Sequence, residues 1–315
     1  MLGDIGGTNA RWAVQAQRGA VIEHVSVAPC GASDSIYESA HRYLENLDGV
    51  SPRSAAIGIA TALSGDNVRM TNNSWSFSIS EFKRVFGLQR CLFMNDFTAL
   101  AMSLPALSVN DICPVGGGEA VKSAPIALLG PGTGLGVGGL LKGQEGRWSA
   151  ISVEGGHVTL AVSDDFEAAL ISRLRERFGH VSAERVLSGE GLINLYRVAC
   201  ELHGTTAHDL TPAGLTDAAL NESDALCKET VALFAGFFGN VAGNLALTLG
   251  AQGGVYLGGG IVPRLGNAFD ANIFRSRFED KGRFAGYLRN IPSWIITAST
   301  LALLGASLAL DNMAV

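Results

Sequence analysis

Asp4, Gly6, Gly7, Thr8 and Asn9 stand almost side by side in the segment GDIGGTNAR, Gly3 to Arg11. Glycines carry no Cβ, so the backbone can turn through positive φ and ligand oxygens can approach its N–H groups closely, as a phosphate cradle requires. Asp4 suits Mg2+, a hard cation held through one or two carboxylates, its own waters and the phosphates of a substrate. Thr8 and Asn9 add short side-chain donors. A tight hairpin with no ligand is the competing reading of one such turn. It loses ground because PGTGLG, Pro131 to Gly136, offers a second cradle and Gly258, Gly259 and Gly260 form a third glycine cluster.

A second set of candidates is acidic. Asn95 and Asp96 end the apolar run LQRCLFM, and a polar pair at the carboxyl end of a buried strand is where open α/β sheets place ligand chemistry. Capping of the following helix is the other role open to Asp96, and one aspartate can do both. EGGH supplies Glu154 and His157 in a cramped turn, and Glu184 lies in the link between two expected helices.

The elements that must hold these residues follow from apolar patterning. Met1 to Ile5 and Arg11 to Gln15 read as strands flanking the first turn, and Val21 to Ala28 as a third. A helix capped by Ser33 or Asp34 runs to Leu47, and Ala55 to Ala60 is a buried strand. Met70 to Asn73 and Trp75 to Ile79 read as edge strands or loop. Leu88 to Met94 is a strand and Phe97 to Ser103 a helix ended by Pro105. The polar stretch Val109 to Ser123 reads as a boundary between lobes, before strands at Ile126 to Leu129 and Val137 to Leu141. Gly134 to Gly139 formally fits the dinucleotide pattern GxGxxG, but Lys142 to Gly146 (KGQEG) is hairpin chemistry, whereas that pattern must open a helix. Helices are expected at Asp164 to Phe178, Gly191 to Leu202, from Pro212, and over the long apolar segment Ser223 to Leu249, whose Gly236, Gly239 and Gly243 allow close packing. Strands at Val255 to Leu257 and Trp294 to Thr297 and a closing helix over Leu301 to Leu310 complete the chain.

Composition narrows the function. The chain has 315 residues, above the usual limit of one core, so two lobes are expected. It is 47% hydrophobic and 17% charged, enough to bury a sizeable core. A formal charge of −6 without a basic run argues against nucleic acid as a partner. Backbone N–H groups and a metal, rather than a lysine patch, must then neutralise any polyphosphate. Five scattered cysteines with no CxxC pair read as reduced thiols, which points to the cytoplasm and away from zinc. No uninterrupted apolar run reaches the length of a membrane span, and no signal peptide is evident, so neither membrane insertion nor secretion is expected.

Taken in order, GDIGGTN, MNDFTA, GPGTGLG, EGGH, AERVLSG, GGGIVPR and FEDKGRF resemble the bacterial glucokinases of the hexokinase and actin-like superfamily over essentially the whole chain. The resemblance implies a two-lobed actin-like (ribonuclease H-like) α/β ATPase fold with a central cleft. Residues 1–106 and 298–315 would form the small lobe and 107–297 the large one. It implies ATP-dependent phosphorylation of D-glucose at the 6-hydroxyl, with Mg2+, in a cytoplasmic homodimer. By the same match Asp96 would be the catalytic base. Asn95, Asp96, Glu154, His157 and Glu184 would contact glucose. Gly3, Asp4, Ile5, Gly6, Gly7, Thr8 and Asn9 would form the first phosphate segment, Gly132, Thr133 and Gly134 the second, and Gly258, Gly259 and Gly260 the stretch near adenosine. Asp4 would meet the metal through water.

Chemistry agrees with the match. Hydrogen bonds from sugar hydroxyls to charged groups are worth roughly 1.5 to 3 kcal/mol each, so two glutamates, an asparagine and a histidine can read several hydroxyls at once. Residues 158–184 contain no cysteine, unlike the zinc-binding sugar kinases with a related EGGH-like segment. Relatives of this family extend further before the GD pair, so a short first strand is expected. A kinase of another hexose (mannose, fructose or an amino sugar) is the nearest alternative, and a non-catalytic sugar sensor on the same fold is the alternative from another class.

Overall fold

The computed structural model describes residues 1–71, 73–143 and 145–313; Asn72 and Gln144, inside segments expected as edge strand and hairpin, lie outside the described residues. The chain first lays down β1 (Leu2–Ile5), β2 (Asn9–Gln15), β3 (Ile22–Pro29), α1 (Ile36–Glu45) and β4 (Ser54–Ile59). The pair β5 (Asn67–Arg69) and β6 (Ser76–Ser78) follows, then α2 (Ile79–Val85), β7 (Arg90–Asn95) and α3 (Asp96–Ser103). Next come β8 (Ile112–Gly116), β9 (Ile126–Pro131), β10 (Leu135–Lys142), β11 (Trp148–Ser152), α4 (Asp165–Phe178), α5 (Gly189–Leu202), α6 (Pro212–Leu220) and α7 (Ala225–Leu249). The last elements are β12 (Val255–Leu257), α8 (Ile261–Leu265), α9 (Ala271–Glu279), α10 (Ala285–Arg289), β13 (Ser293–Ile296) and α11 (Leu301–Asn312). Two compact units result: residues 1–107, 143–152 and 298–315, and residues 108–142 and 153–297.

In the first unit the strand order is β3-β2-β1-β4-β7, with β1, β4 and β7 parallel, β2 antiparallel to β1 and β3 antiparallel to β2. Alternation along β1 sends Leu2 and Asp4 to one face and Gly3 and Ile5 to the other. Leu2 packs with Ala13, Ala56, Leu303 and Ala306 of α11, while Ile5, Trp12, Ile57, Ile59, Phe82 and Phe93 build a second cluster. β1 is short, as expected, yet paired on both sides through all four residues, and the Met1 ammonium donates to Ser54 O at 2.9 Å. α11 crosses α3 closely because Gly305 has no side chain: a Cβ there would overlap the Ala99 carbonyl.

The edge strand expected at Trp75 to Ile79 forms as β6, and α2, for which the sequence reading has no helix, follows it directly. Ser78 ends β6 and accepts a hydrogen bond from Glu81 N at 3.0 Å, the start signal of a helix. The hairpin segment 143–152 was read with the second unit but groups with the first, where Asn312 Nδ2 donates to Trp148 O at 3.3 Å.

In the second unit the order is β10-β9-β12-β13-β8; β9, β12 and β13 are parallel and the flanking strands antiparallel. β8 arises inside the polar stretch read as a boundary, because as the edge partner of β13 it needs no apolar pattern on both faces. α7 is long and apolar enough to cross a membrane by length and composition, and 67% of its most apolar window is buried inside the protein. Gly239 and Gly243 allow that packing, since a Cβ at either would meet the Phe274 or Phe278 carbonyl of α9.

Candidate active site

The first unit places its candidates along one edge of its sheet. Ile5 lies beside Ile59 and Ile59 beside Asn95, so three parallel strands end in one row. The Gly6–Asn9 turn and Asp96 leave the sheet from that row. Gly6 N donates to Asn9 O at 2.9 Å, and Cys30 N donates to Thr8 O at 2.7 Å. The Thr8 and Asn9 carbonyls are thereby occupied, while the amides of Gly7 and Thr8 donate to no described residue. Such a turn offers N–H groups to an anion. Gly3 and Ile5 do not join it. Both point into the core, where Gly3 lies against the Trp12 ring and Ile5 is fully buried, so their part is to shape the strand.

Asp4 is 8% exposed, and its Oδ2 accepts a hydrogen bond from Arg11 Nη1 at 2.8 Å. Arg11 did not stand out in the sequence. The hairpin register that pairs Asp4 with Arg11 across β1 and β2 is the signal that would have found it.

Asp96 opens α3, but Asn95 is the cap: its Oδ1 accepts from Phe97 N at 2.9 Å and Thr98 N at 3.3 Å. Capping draws on the Asn95 amide, whose Nδ2 also donates to Thr61 O at 3.4 Å. Asp96 Oδ1 accepts from Phe97 N at 2.8 Å. Burial pushes the Asp96 carboxyl up to about 6 against that stabilising bond, and the charge of Asp4 adds to the rise. A carboxyl so tuned is a carboxylate at neutral pH with enhanced proton affinity, the property of a general base.

In the second unit, Leu129 of β9 lies beside Leu257 of β12, and both strands end in glycine turns. Gly132 N donates to Gly134 O at 2.8 Å; the Thr133 and Gly134 amides donate to no described residue. Gly258 N is taken by Leu129 O at 2.7 Å. Gly259 sits at φ +77°, and a Cβ there would overlap the Pro131 carbonyl, so only glycine fits. The GxGxxG match at Gly134–Gly139 is the start of β10, a hairpin strand rather than a helix.

The carboxylate cluster is assembled on these turns. Leu135 N donates to Glu184 Oε2 at 2.9 Å, and Gly134 leaves the room that Glu184 occupies. Glu184 Oε1 accepts no hydrogen bond from a described residue. The Glu154–His157 turn rests on the same hairpin, because Cβ atoms at Gly155 and Gly156 would overlap Val137 and the Leu135 carbonyl. Ala183 N donates to Val158 O at 2.9 Å, tying that turn to the residue before Glu184. Glu154 and His157 are exposed and Glu184 is half-buried. Among the described residues no group of three His, Cys, Asp or Glu side chains has metal-binding geometry.

The glucokinase family profile matches residues 1–313. The glucokinase of Aromatoleum aromaticum is 49% identical over 313 residues, which span 99% of this chain and 94% of that protein. That of Chromobacterium violaceum is 46% identical over 315 residues, 100% of this chain and 90% of the other. A glucokinase crystal structure from an Antarctic psychrotroph has a TM-score of 0.92 at 34% identity, covering 99% of this chain and 98% of its own. The fold is the actin-like ATPase fold that the motifs implied. The chain belongs to the glucokinase family.

Proposed function

We propose that this glucokinase transfers the γ-phosphoryl group of ATP to the 6-hydroxyl of D-glucose, with Asp96 as the base that takes the hydroxyl proton. The carrying observation is Asp96 itself, a half-buried carboxyl at a strand end, in the same sheet row as the Gly6–Asn9 turn, its pKa pushed up to about 6 by desolvation. As the glucose O6–P bond forms, the O6 proton passes to an Asp96 oxygen, the bond from phosphorus to the bridging oxygen breaks, and ADP departs with its electron pair. The products are glucose 6-phosphate and ADP.

The other assignments follow the chemistry of each group. In the Gly6–Asn9 turn the Gly7 and Thr8 amides and the Thr8 and Asn9 side chains offer donors to phosphate oxygens, the Thr133 and Gly134 amides do the same in the Gly132–Gly134 turn, and Gly258 to Gly260 lie near adenosine. Glu154, His157 and Glu184 read glucose hydroxyls, Glu184 through Oε1, since Oε2 is spent on Leu135 N. Asn95 contributes what remains of its amide after capping. An epimer would leave one of these groups without its partner, which is how such a site discriminates.

Mg2+ accompanies ATP in this reading. Asp4 would hold it through water: Arg11 occupies one carboxylate oxygen, and the neighbouring Asp96 charge makes the surroundings rich in hard oxygen donors. Bound there, the ion would neutralise charge on the β- and γ-phosphates. This chain's own residues do the rest: they orient O6, accept its proton and offer amides to the transferring group.

A coupled assay of ADP release with ATP and Mg2+ against glucose, mannose, fructose and glucosamine tests the proposal. Glucose should give the highest kcat/KM. Turnover with another hexose but not glucose would overturn the substrate assignment, and full turnover by Asp96→Asn would overturn the base.

A further inference from the structure

The FEDKGRF segment, residues 278–284, follows the packed face of α9 and carries Lys281, whose side chain turns into α7. Gly243 makes the space for it: a Cβ there would stand 2.9 Å from Lys281 Cε. Lys281 Nζ donates to Asn240 Oδ1, and Asn240 is only 4% exposed in the middle of α7. An ammonium has donors and no acceptor, so this bond fixes which end of the amide faces the lysine. Asn240 Nδ2 is left to donate outward, to Ala161 O at 3.2 Å and Ser163 Oγ at 3.3 Å.

Those two acceptors belong to the strap 158–163, which runs from the Glu154–His157 turn to α4. Leu160 N donates to Val181 O at 3.1 Å and Ala183 N to Val158 O at 2.9 Å, so the strap also steadies the residues leading to Glu184. Ala161, Val162 and Ser163 are exposed, so apolar burial does little to fix them and polar anchors must. The second anchor is Glu167, 3% exposed and paired with Arg277; Glu167 Oε2 accepts from Ser163 N at 2.7 Å.

We infer that Lys281, acting through Asn240, is a positioning residue that holds the 158–163 strap, and with it the Glu154–His157 turn and Glu184, in register for sugar binding. The inference rests on the proposed reading of those three side chains as glucose contacts. Lys281 touches no substrate. It keeps one buried amide pointing the right way, and that amide supplies two hydrogen bonds to the exposed part of the strap, Ala161 to Ser163.

Three variants test this in the full-length protein: Lys281→Met, which keeps the length but not the donor; Asn240→Asp, which keeps the lysine pair but cannot donate to the strap; and Glu154→Gln. Losing two hydrogen bonds should raise the KM for glucose about fivefold to tenfold in the first two, with kcat changed less than about twofold and the KM for ATP unmoved. Hydrogen exchange without ligand should be faster at the Leu160 and Ala183 amides. Unchanged exchange and an unchanged glucose KM would overturn the inference, as would equal losses in every kinetic parameter, the signature of general loosening. If Glu154→Gln raises the glucose KM while Lys281→Met and Asn240→Asp do not, the positioning role fails and the sugar reading stands. If Glu154→Gln has no effect, the sugar reading itself fails, and the positioning role with it.

Discussion

Replacing Asp96 by Asn should abolish turnover and, at the same time, make the first unit more stable. In the folded chain burial raises this carboxyl from 3.8 to about 6. The folded state therefore holds its proton over a range in which the unfolded chain has already lost it. As pH rises through 3.8 the unfolded state gains charge at no cost while the native state does not, so stability falls; once pH passes 6 the full penalty is present and stays constant. Two pH units correspond to about 3 kcal/mol at most, and relaxation around the charge makes about 2 kcal/mol a sound expectation. Asparagine removes the charge but keeps an oxygen to accept from Phe97 N. The assay is urea unfolding without sugar or nucleotide, followed by tryptophan fluorescence, because Trp12, Trp75 and Trp148 all lie in the first unit. At pH 7.5 the variant should unfold at a higher midpoint by about 0.7 to 1 M, taking a slope of about 2 to 3 kcal/mol per molar. At pH 4 the wild-type carboxyl is itself largely neutral and the difference should nearly vanish. A gain that persists undiminished at pH 4, or no gain at pH 7.5, would refute the claim that Asp96 is a carboxylate held against its own burial. Loss of kcat by a factor of about 10² to 10⁴ should accompany the stabilisation.

The same carboxyl sets the acid limb of catalysis: log kcat/KM for glucose should be level above about pH 7 and fall with unit slope below about 6, and a limb near 4 would mean that Asp96 is not the titrating base. Gly134→Ala should drive a Cβ into Glu184 Oε2, break its bond to Leu135 N and raise the KM for glucose about tenfold or more; an unchanged KM would remove Glu184 from sugar binding. Gly305→Ala should force α11 away from the Ala99 carbonyl and cost about 2 to 3 kcal/mol in urea unfolding, with a loss of less than about 0.5 kcal/mol counting against that close approach.

Asp96 is legible as a candidate in the sequence because its signal is local: an apolar run, then a polar pair, then a helix. The glycine turns were legible for the same reason. What lies between residues distant in the chain was not. Glu184 could be chosen by its resemblance to a family, but not as a side chain seated on Leu135 N, 49 positions away. The cap of α3 was legible in type and one residue off in place, since Asn and Asp stand side by side and both suit the role. α2 was hidden behind Trp75 and Phe77, whose β-like composition outweighed the serine and glutamate that start a helix. β8 was missed because an edge strand needs to satisfy only one neighbour. The resemblance alone puts Gly3 in the phosphate segment, whereas pleating turns it inward against Trp12.

The two units share one local recipe. Each has a central strand that leaves the sheet through a glycine turn and returns beside itself, as β1 and β2 and as β9 and β10. On the other flank each adds two parallel strands, β4 and β7 or β12 and β13, ending in the same row. The geometry yields a row of strand ends with free amides, which favours anions whatever the side chains are. Side chains then divide the work. The first unit puts a carboxyl directly on a strand end, where the sheet buries it and raises its proton affinity. The second unit seats its carboxylate on a turn amide, spending one oxygen on the scaffold and leaving the other to accept. A base must hold a proton, whereas a reader of hydroxyls must hold a shape. Under the proposed roles that difference accounts for the partial burial that tunes Asp96 and for the hydrogen-bonded strap beside Glu184.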